Sequence, residues 1–129
     1  MKILLDTSVL VPLLRGQETL ESRVPSGAVL LLCAPVLAEL LIGALRSTRP
    51  DLAILGVQQL ITQLESPILA CDAQTARRYA ELETRLRQQG TPIPTNDVWI
   101  AAIAWQHELT LATRDLHYQR IPEIEVDMW

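Results

Sequence analysis

Four acidic residues, Asp6, Glu39, Asp97 and Asp115, each stand at or inside an apolar run. Asp6 ends "KILLD", Glu39 interrupts "PVLAELLIGAL", Asp97 opens "NDVWIAAIAWQHE", and Asp115 lies two residues beyond "LTLAT". Carboxylates gathered in water-poor surroundings repel and raise one another's pKa values. A hard divalent cation resolves that conflict. Mg²⁺ takes oxygen ligands, keeps several waters, and suits one or two carboxylates plus a substrate phosphate. No Cys/His ligand set stands ready for zinc. His107 and His117 are separated and read as surface or capping residues.

Taken singly, Asp6, Asp97 and Asp115 read as helix caps or turn residues. Glu39 resists that reading. It lies past the first capping positions, and its helix is apolar almost all the way round, which predicts burial. An unpaired buried carboxylate is costly, so a cation, an arginine such as Arg46 or Arg114, or a partner surface must account for it. Thr7, Ser8, Asn96 and Thr113 supply small polar neighbours.

The elements that would carry these residues follow from the pattern. "KILLD" and "AVLLLC" read as buried strands, each leading into a helix, "TSVLVPLLRG" and "PVLAELLIGALR". Gly16 stops the first helix, and Pro35 suits the first turn of the second. Residues 51–65 put Ile54, Val57, Ile61 and Leu64 on one helical face, and "PILAC" reads as a third strand. Asp72 caps a long helix ending before Gly90, with Glu81–Arg85 and Glu83–Arg87 spaced for ion pairs on a solvated face. "TPIPT" is a loop, "LTLAT" a strand, and "IEV" a last one. Strands alternating with helices indicate an α/β fold with a mostly parallel sheet. In such sheets ligands bind beyond the carboxyl ends of the strands. Asp6, Glu39 and Asp115 follow strands; Asp97 reaches the same rim because a helix feeding a parallel strand starts there.

The 129 residues suffice for one domain, taken as residues 1–129, and 49% hydrophobic with 20% charged residues marks a globular chain. The net charge of −4 vanishes if the four acids are set aside, so no strong basic tail attracts a polyanion and no general acidity repels one. Residues 28–45 carry one charge, Glu39, over a length at the lower limit for a membrane span. Pro35 and a central acid costing about 3 kcal/mol favour strand, break, helix instead. The N-terminus mimics a signal peptide, but Asp6 interrupts its apolar region. The expected location is the cytoplasm, with Cys33 and Cys71 as reduced core thiols.

With these residues in place, the sequence resembles the PIN-domain ribonucleases, and among them the VapC-type toxins of toxin–antitoxin pairs. The resemblance runs over essentially the whole chain through "LLDTSVL", "LAELLIGA", "NDVWIAAIA" and "LATRDLHYQRI". Each motif is weak alone; four in order, in matching strand and helix contexts, are specific. The resemblance implies a PIN-like α/β/α sandwich, Mg²⁺- or Mn²⁺-dependent endoribonuclease activity on an RNA substrate, homodimerisation, and inhibition by a cognate antitoxin covering the active site. It also implies roles: Asp6 and Asp97 as principal metal ligands, Glu39 and Asp115 as the other two acids, Thr7, Ser8, Asn96 and Thr113 as the polar surround. One departure is Val36, where such proteins often carry Ser or Thr.

Rival readings lack residues. Phosphotransfer receiver domains use a late lysine, and Lys2 is the only lysine here. A haloacid-dehalogenase-like phosphatase needs an aspartate where Ser8 stands. The non-enzymatic alternative is a PIN-like module that binds a protein and cuts nothing.

Overall fold

The structure is a computed structural model and describes residues 1–129. Its centre is β1 (Lys2–Leu5), in which Ile3, Leu4 and Leu5 are fully inaccessible. A strand covered on both faces has no use for alternation, which is why it reads as an unbroken apolar run. Around it, β2 (Val29–Cys33), β3 (Ile68–Leu69), β4 (Thr110–Thr113) and β5 (Glu125–Met128) complete a sheet of order β3-β2-β1-β4-β5. Every pairing is parallel, with Ile3 set between Leu30 and Thr110.

The chain winds from β1 through β2 to β3 on one side, then crosses back to place β4 and β5 on the other. That reversal falls between β1 and β4. In doubly wound sheets it opens a crevice beyond the carboxyl ends of those two strands. Asp6 is the first residue past β1, and its N–H donates to the Ala112 carbonyl at 3.0 Å, fixing its position at the crevice.

Helices α1 (Thr7–Leu14), α2 (Ala34–Leu45) and α3 (Pro50–Leu64) form one packed group; α4 (Ala73–Gln88) and α5 (Thr95–Gln106) form another. Together they cover the sheet as an α/β/α sandwich. Proline opens both α2 and α3, where a missing N–H costs nothing. Asp72 caps α4 in a reciprocal box: its carboxylate accepts from the Thr75 N–H at 3.0 Å, and Thr75 Oγ1 accepts from the Asp72 N–H at 3.1 Å. Gly90 follows α4 with φ of 70°, the left-handed conformation glycine takes most cheaply. Trp129 packs back on the core, its N–H donating to the Thr113 carbonyl at 2.9 Å.

The helix with the longest buried run is α5, which hides Val98 and Ile100 through Ala104. The expectation that α2 is buried all round is corrected. Only Pro35, Val36, Leu40 and Ala44 are buried there, while Ile42 and Leu45 are exposed and Glu39 is half-buried. Two smaller expectations also change. Cys71 is exposed, so only Cys33 is a core thiol. Arg85 turns to Glu123 at 2.5 Å and Glu81 faces Arg78 at 3.9 Å, so of the two expected pairs only Glu83–Arg87 forms. No helix is long and apolar enough to cross a membrane.

Candidate active site

Asp6 stands at the N-cap of α1, and Asp115 at the N-cap of a short 3-10 turn, Leu116–Arg120. Neither side chain makes a capping bond. The Asp6 carboxylate, 3% exposed, instead accepts from Ser8 Oγ and Thr113 Oγ1, both at 2.7 Å on Oδ2. The Tyr118 hydroxyl donates to its Oδ1 at 3.4 Å. Ser8 Oγ and Thr113 Oγ1 lie 3.2 Å apart and accept from the N–H groups of Arg114 and Asp115, at 2.9 and 3.0 Å. The end of β4 is thereby tied to the start of α1.

Asp97 sits in the first turn of α5 with a side chain 14% exposed. Burial pushes its carboxyl up to about 6, and the nearby charges of Asp6 and Glu39 add to the rise; His117 and the Tyr118 hydroxyl pull the other way. The imidazole of His117 lies between two acids, its Nε2 3.1 Å from Asp97 Oδ2 and 3.0 Å from Asp115 Oδ1. Tyr118 is fully buried, and burial together with Asp6 and Asp97 drives its hydroxyl far above its ordinary range, so it stays a donor.

Glu39 projects from α2, where Asn96 at the start of α5 donates its amide to Oε1 and also to the Pro35 carbonyl at 3.4 Å. Neither Arg46 nor Arg114 is its partner; Arg114 pairs with Glu18. Val36, at the departure noted above, is fully buried in the core. Asn96 therefore supplies the polar contact there. Thr7 Oγ1 is buried without a hydrogen-bond partner and touches none of the acids through one.

Residues 3–124 match the model of the PIN domain. The chain belongs to the PIN-domain family. It is 35% identical over 92 residues to Ribonuclease VapC4 of Mycobacterium tuberculosis, covering 70% of this chain and 69% of that protein. It is 33% identical over 94 residues to the tRNA(fMet)-specific endonuclease VapC of Salmonella typhimurium, covering 72% and 70%. Among solved structures, VapBC2 from Rickettsia felis bound to a DNA fragment from their promoter contains a chain superposing with a TM-score of 0.90 at 25% identity, covering 100% of this chain and 99% of that one. The PIN-like sandwich expected from the motifs is the observed fold.

In this PIN domain, the charges of Asp6 and Glu39 both act on Asp97. Asp115 joins through His117. Ser8, Thr113 and Asn96 bond directly to these acids; Thr7 does not. Two residues were not foreseen. His117, though partly exposed, bridges two acids, and Tyr118 sits beneath them. The only sequence signal was their place directly after Asp115, in a turn that must pass the crevice. The donor set fits a divalent cation: donor atoms of Asp97, Asp115 and His117 lie within 4.8 Å of one another, and Asp97 is an anion short of compensating charge. Cys33 offers the crevice no thiol nucleophile, since burial pushes it up to about 12.

Proposed function

We propose that this PIN domain is a metal-dependent endoribonuclease, using Mg²⁺ or Mn²⁺, and the toxin of a toxin–antitoxin pair. One observation carries the reading. Asp6, Asp97 and Asp115 start helical segments, yet Asp6 and Asp115 cap nothing and all three are coupled to one another across the β1–β4 crevice, directly or through His117. Acids kept for structure behave as Asp72 does, with both partners of its cap in place.

Asp6, Asp97 and Asp115 would hold the ion, with Glu39 at its edge. When bound, the cation supplies positive charge to the scissile phosphate and acidity to a water. Ser8 and Thr113 hold Asp6 Oδ2 in one orientation. Asn96 engages Glu39 Oε1 and leaves Oε2 free to orient the attacking water and take its proton. The water oxygen would then bond to phosphorus while the bond to the leaving ribose oxygen breaks, that oxygen taking a proton from solvent. The names of the VapC relatives support RNA as substrate.

A groove of about 340 Å³ between α1, α2 and α3 supports the antitoxin reading. Leu14, Leu40, Leu52 and Val57 line it, and Glu39 stands on its wall. An apolar helical segment of the antitoxin laid there would reach the acids, in keeping with the VapBC complexes among the structural neighbours. The exposed Ile42, Leu45 and Leu55 support a homodimer, which light scattering of the purified chain would measure. Cleavage of total RNA that needs Mg²⁺ or Mn²⁺, stops with EDTA and is lost in Asp6→Asn supports the nuclease. Antitoxin binding without cleavage under any divalent ion would leave a protein-binding module in its place.

A further inference from the structure

The imidazole of His117 is the one feature of the crevice that an all-carboxylate centre leaves unexplained. We propose that His117 is a nitrogen ligand of the metal centre and biases it toward Mn²⁺ over Mg²⁺, an inference that rests on the acids holding a divalent ion.

Three observations carry it. First, Nε2 lies 3.0 Å from Asp115 Oδ1 and 3.1 Å from Asp97 Oδ2. Neighbouring donors around an octahedral ion with bonds of about 2.1 Å are separated by about 3.0 Å. Nε2 thus stands at the spacing of an adjacent ligand from each oxygen, and the donor atoms of the three residues all lie within 4.8 Å of one another. Second, a neutral imidazole has one N–H, and Nε2 sits between two carboxylate oxygens that compete for it. Replacing that proton by a cation satisfies both oxygens at once. Third, the ring is placed by a rigid neighbour. Tyr118 is fully buried, bonded to Asp6, and meets the His117 ring edge-on with centroids 6.1 Å apart. Tyr118 thereby anchors the turn that carries the imidazole beside the acids, where the His117 side chain is 30% exposed.

The consequence for the ion follows from ligand chemistry. Mg²⁺ prefers oxygen and keeps its waters, whereas imidazole suits first-row transition ions. A centre of carboxylates alone discriminates weakly between Mg²⁺ and Mn²⁺. One nitrogen shifts the balance toward Mn²⁺.

Electron spin-echo envelope modulation of the Mn²⁺-loaded wild-type chain is the decisive measurement. The expected spectrum contains a ¹⁴N coupling from a directly bound imidazole, and it vanishes in His117→Gln. The only other histidine, His107, ends α5 and is not among the grouped metal donors, so the coupling has one source. Titrations of Mn²⁺ and Mg²⁺ binding should show Mn²⁺ affinity falling about ten-fold or more in His117→Gln while Mg²⁺ affinity changes less than about three-fold. If wild-type protein binds Mn²⁺ and Asp97→Asn does not, yet no ¹⁴N coupling is seen, His117 is not a ligand and the carboxylate centre stands without it. If wild-type protein binds neither ion, the nuclease reading fails together with this one. The wild-type spectrum decides the matter even if the variant does not fold.

Discussion

Asp97→Asn should make the metal-free protein more stable while destroying its activity. The wild-type carboxyl titrates near 6 rather than 3.8, chiefly because it is buried and next because Asp6 lies close. That gap corresponds to about 3 kcal/mol against the ionised form in the folded state. Between these values the folded chain keeps a proton that the unfolded chain releases, so wild-type stability declines as pH rises through that window. Asparagine has no charge to desolvate. Allowing about 1 kcal/mol for the lost interaction with His117, the variant should gain about 2 kcal/mol above pH 7. For a domain of this length that is a rise in Tm of about 8 °C. The assay is thermal unfolding by circular dichroism in EDTA at pH 7.5 and at pH 4.5, where the gain should largely disappear. Adding Mn²⁺ at about 100 times its Kd should return about 2.7 kcal/mol to the wild type and nothing to the variant. A variant less stable than wild type in EDTA at pH 7.5 would refute the reasoning, because it would mean the carboxylate is already compensated by the protein alone.

Other perturbations separate the parts of the site. Tyr118→Phe keeps the buried ring and removes the hydroxyl that donates to Asp6; RNA cleavage should fall about ten-fold with the far-ultraviolet spectrum unchanged, and an unaltered rate would deny the hydroxyl its role. Leu52→Arg places a charge on the groove wall and should weaken antitoxin binding by about 100-fold in a titration while RNA cleavage by the free chain stays as it was. Leu4→Ala opens a cavity in the central strand and should cost about 2–5 kcal/mol in urea unfolding; a smaller loss would show that β1 is not the keystone of the sheet.

Strand–helix order was legible because β1, β2 and β4 are covered and so spell continuous apolar runs. The acids were legible because a charge at the edge of such a run is rare enough to notice. Neither signal reaches His117 or Tyr118. An imidazole in a short turn has no periodicity to break, and an aromatic two turns from a strand reads as ordinary core. The open face of α2 was hidden for another reason: Ile42 and Leu45 look the same in sequence whether they meet a core or a groove. Arg85 shows the limit of local rules, since Glu123, distant in sequence, takes the guanidinium that Glu81 was spaced to receive.

Glu39 belongs both to the acid cluster and to the wall of the groove between α1, α2 and α3. A peptide filling that groove therefore presses on Glu39 with no relay through the rest of the molecule. On the proposed nuclease reading, neutralising the active site and recognising the protein are one contact. A short synthetic helix with apolar anchors and a terminal guanidinium inherits both properties, and its potency should track the fit of the anchors rather than any induced change of shape.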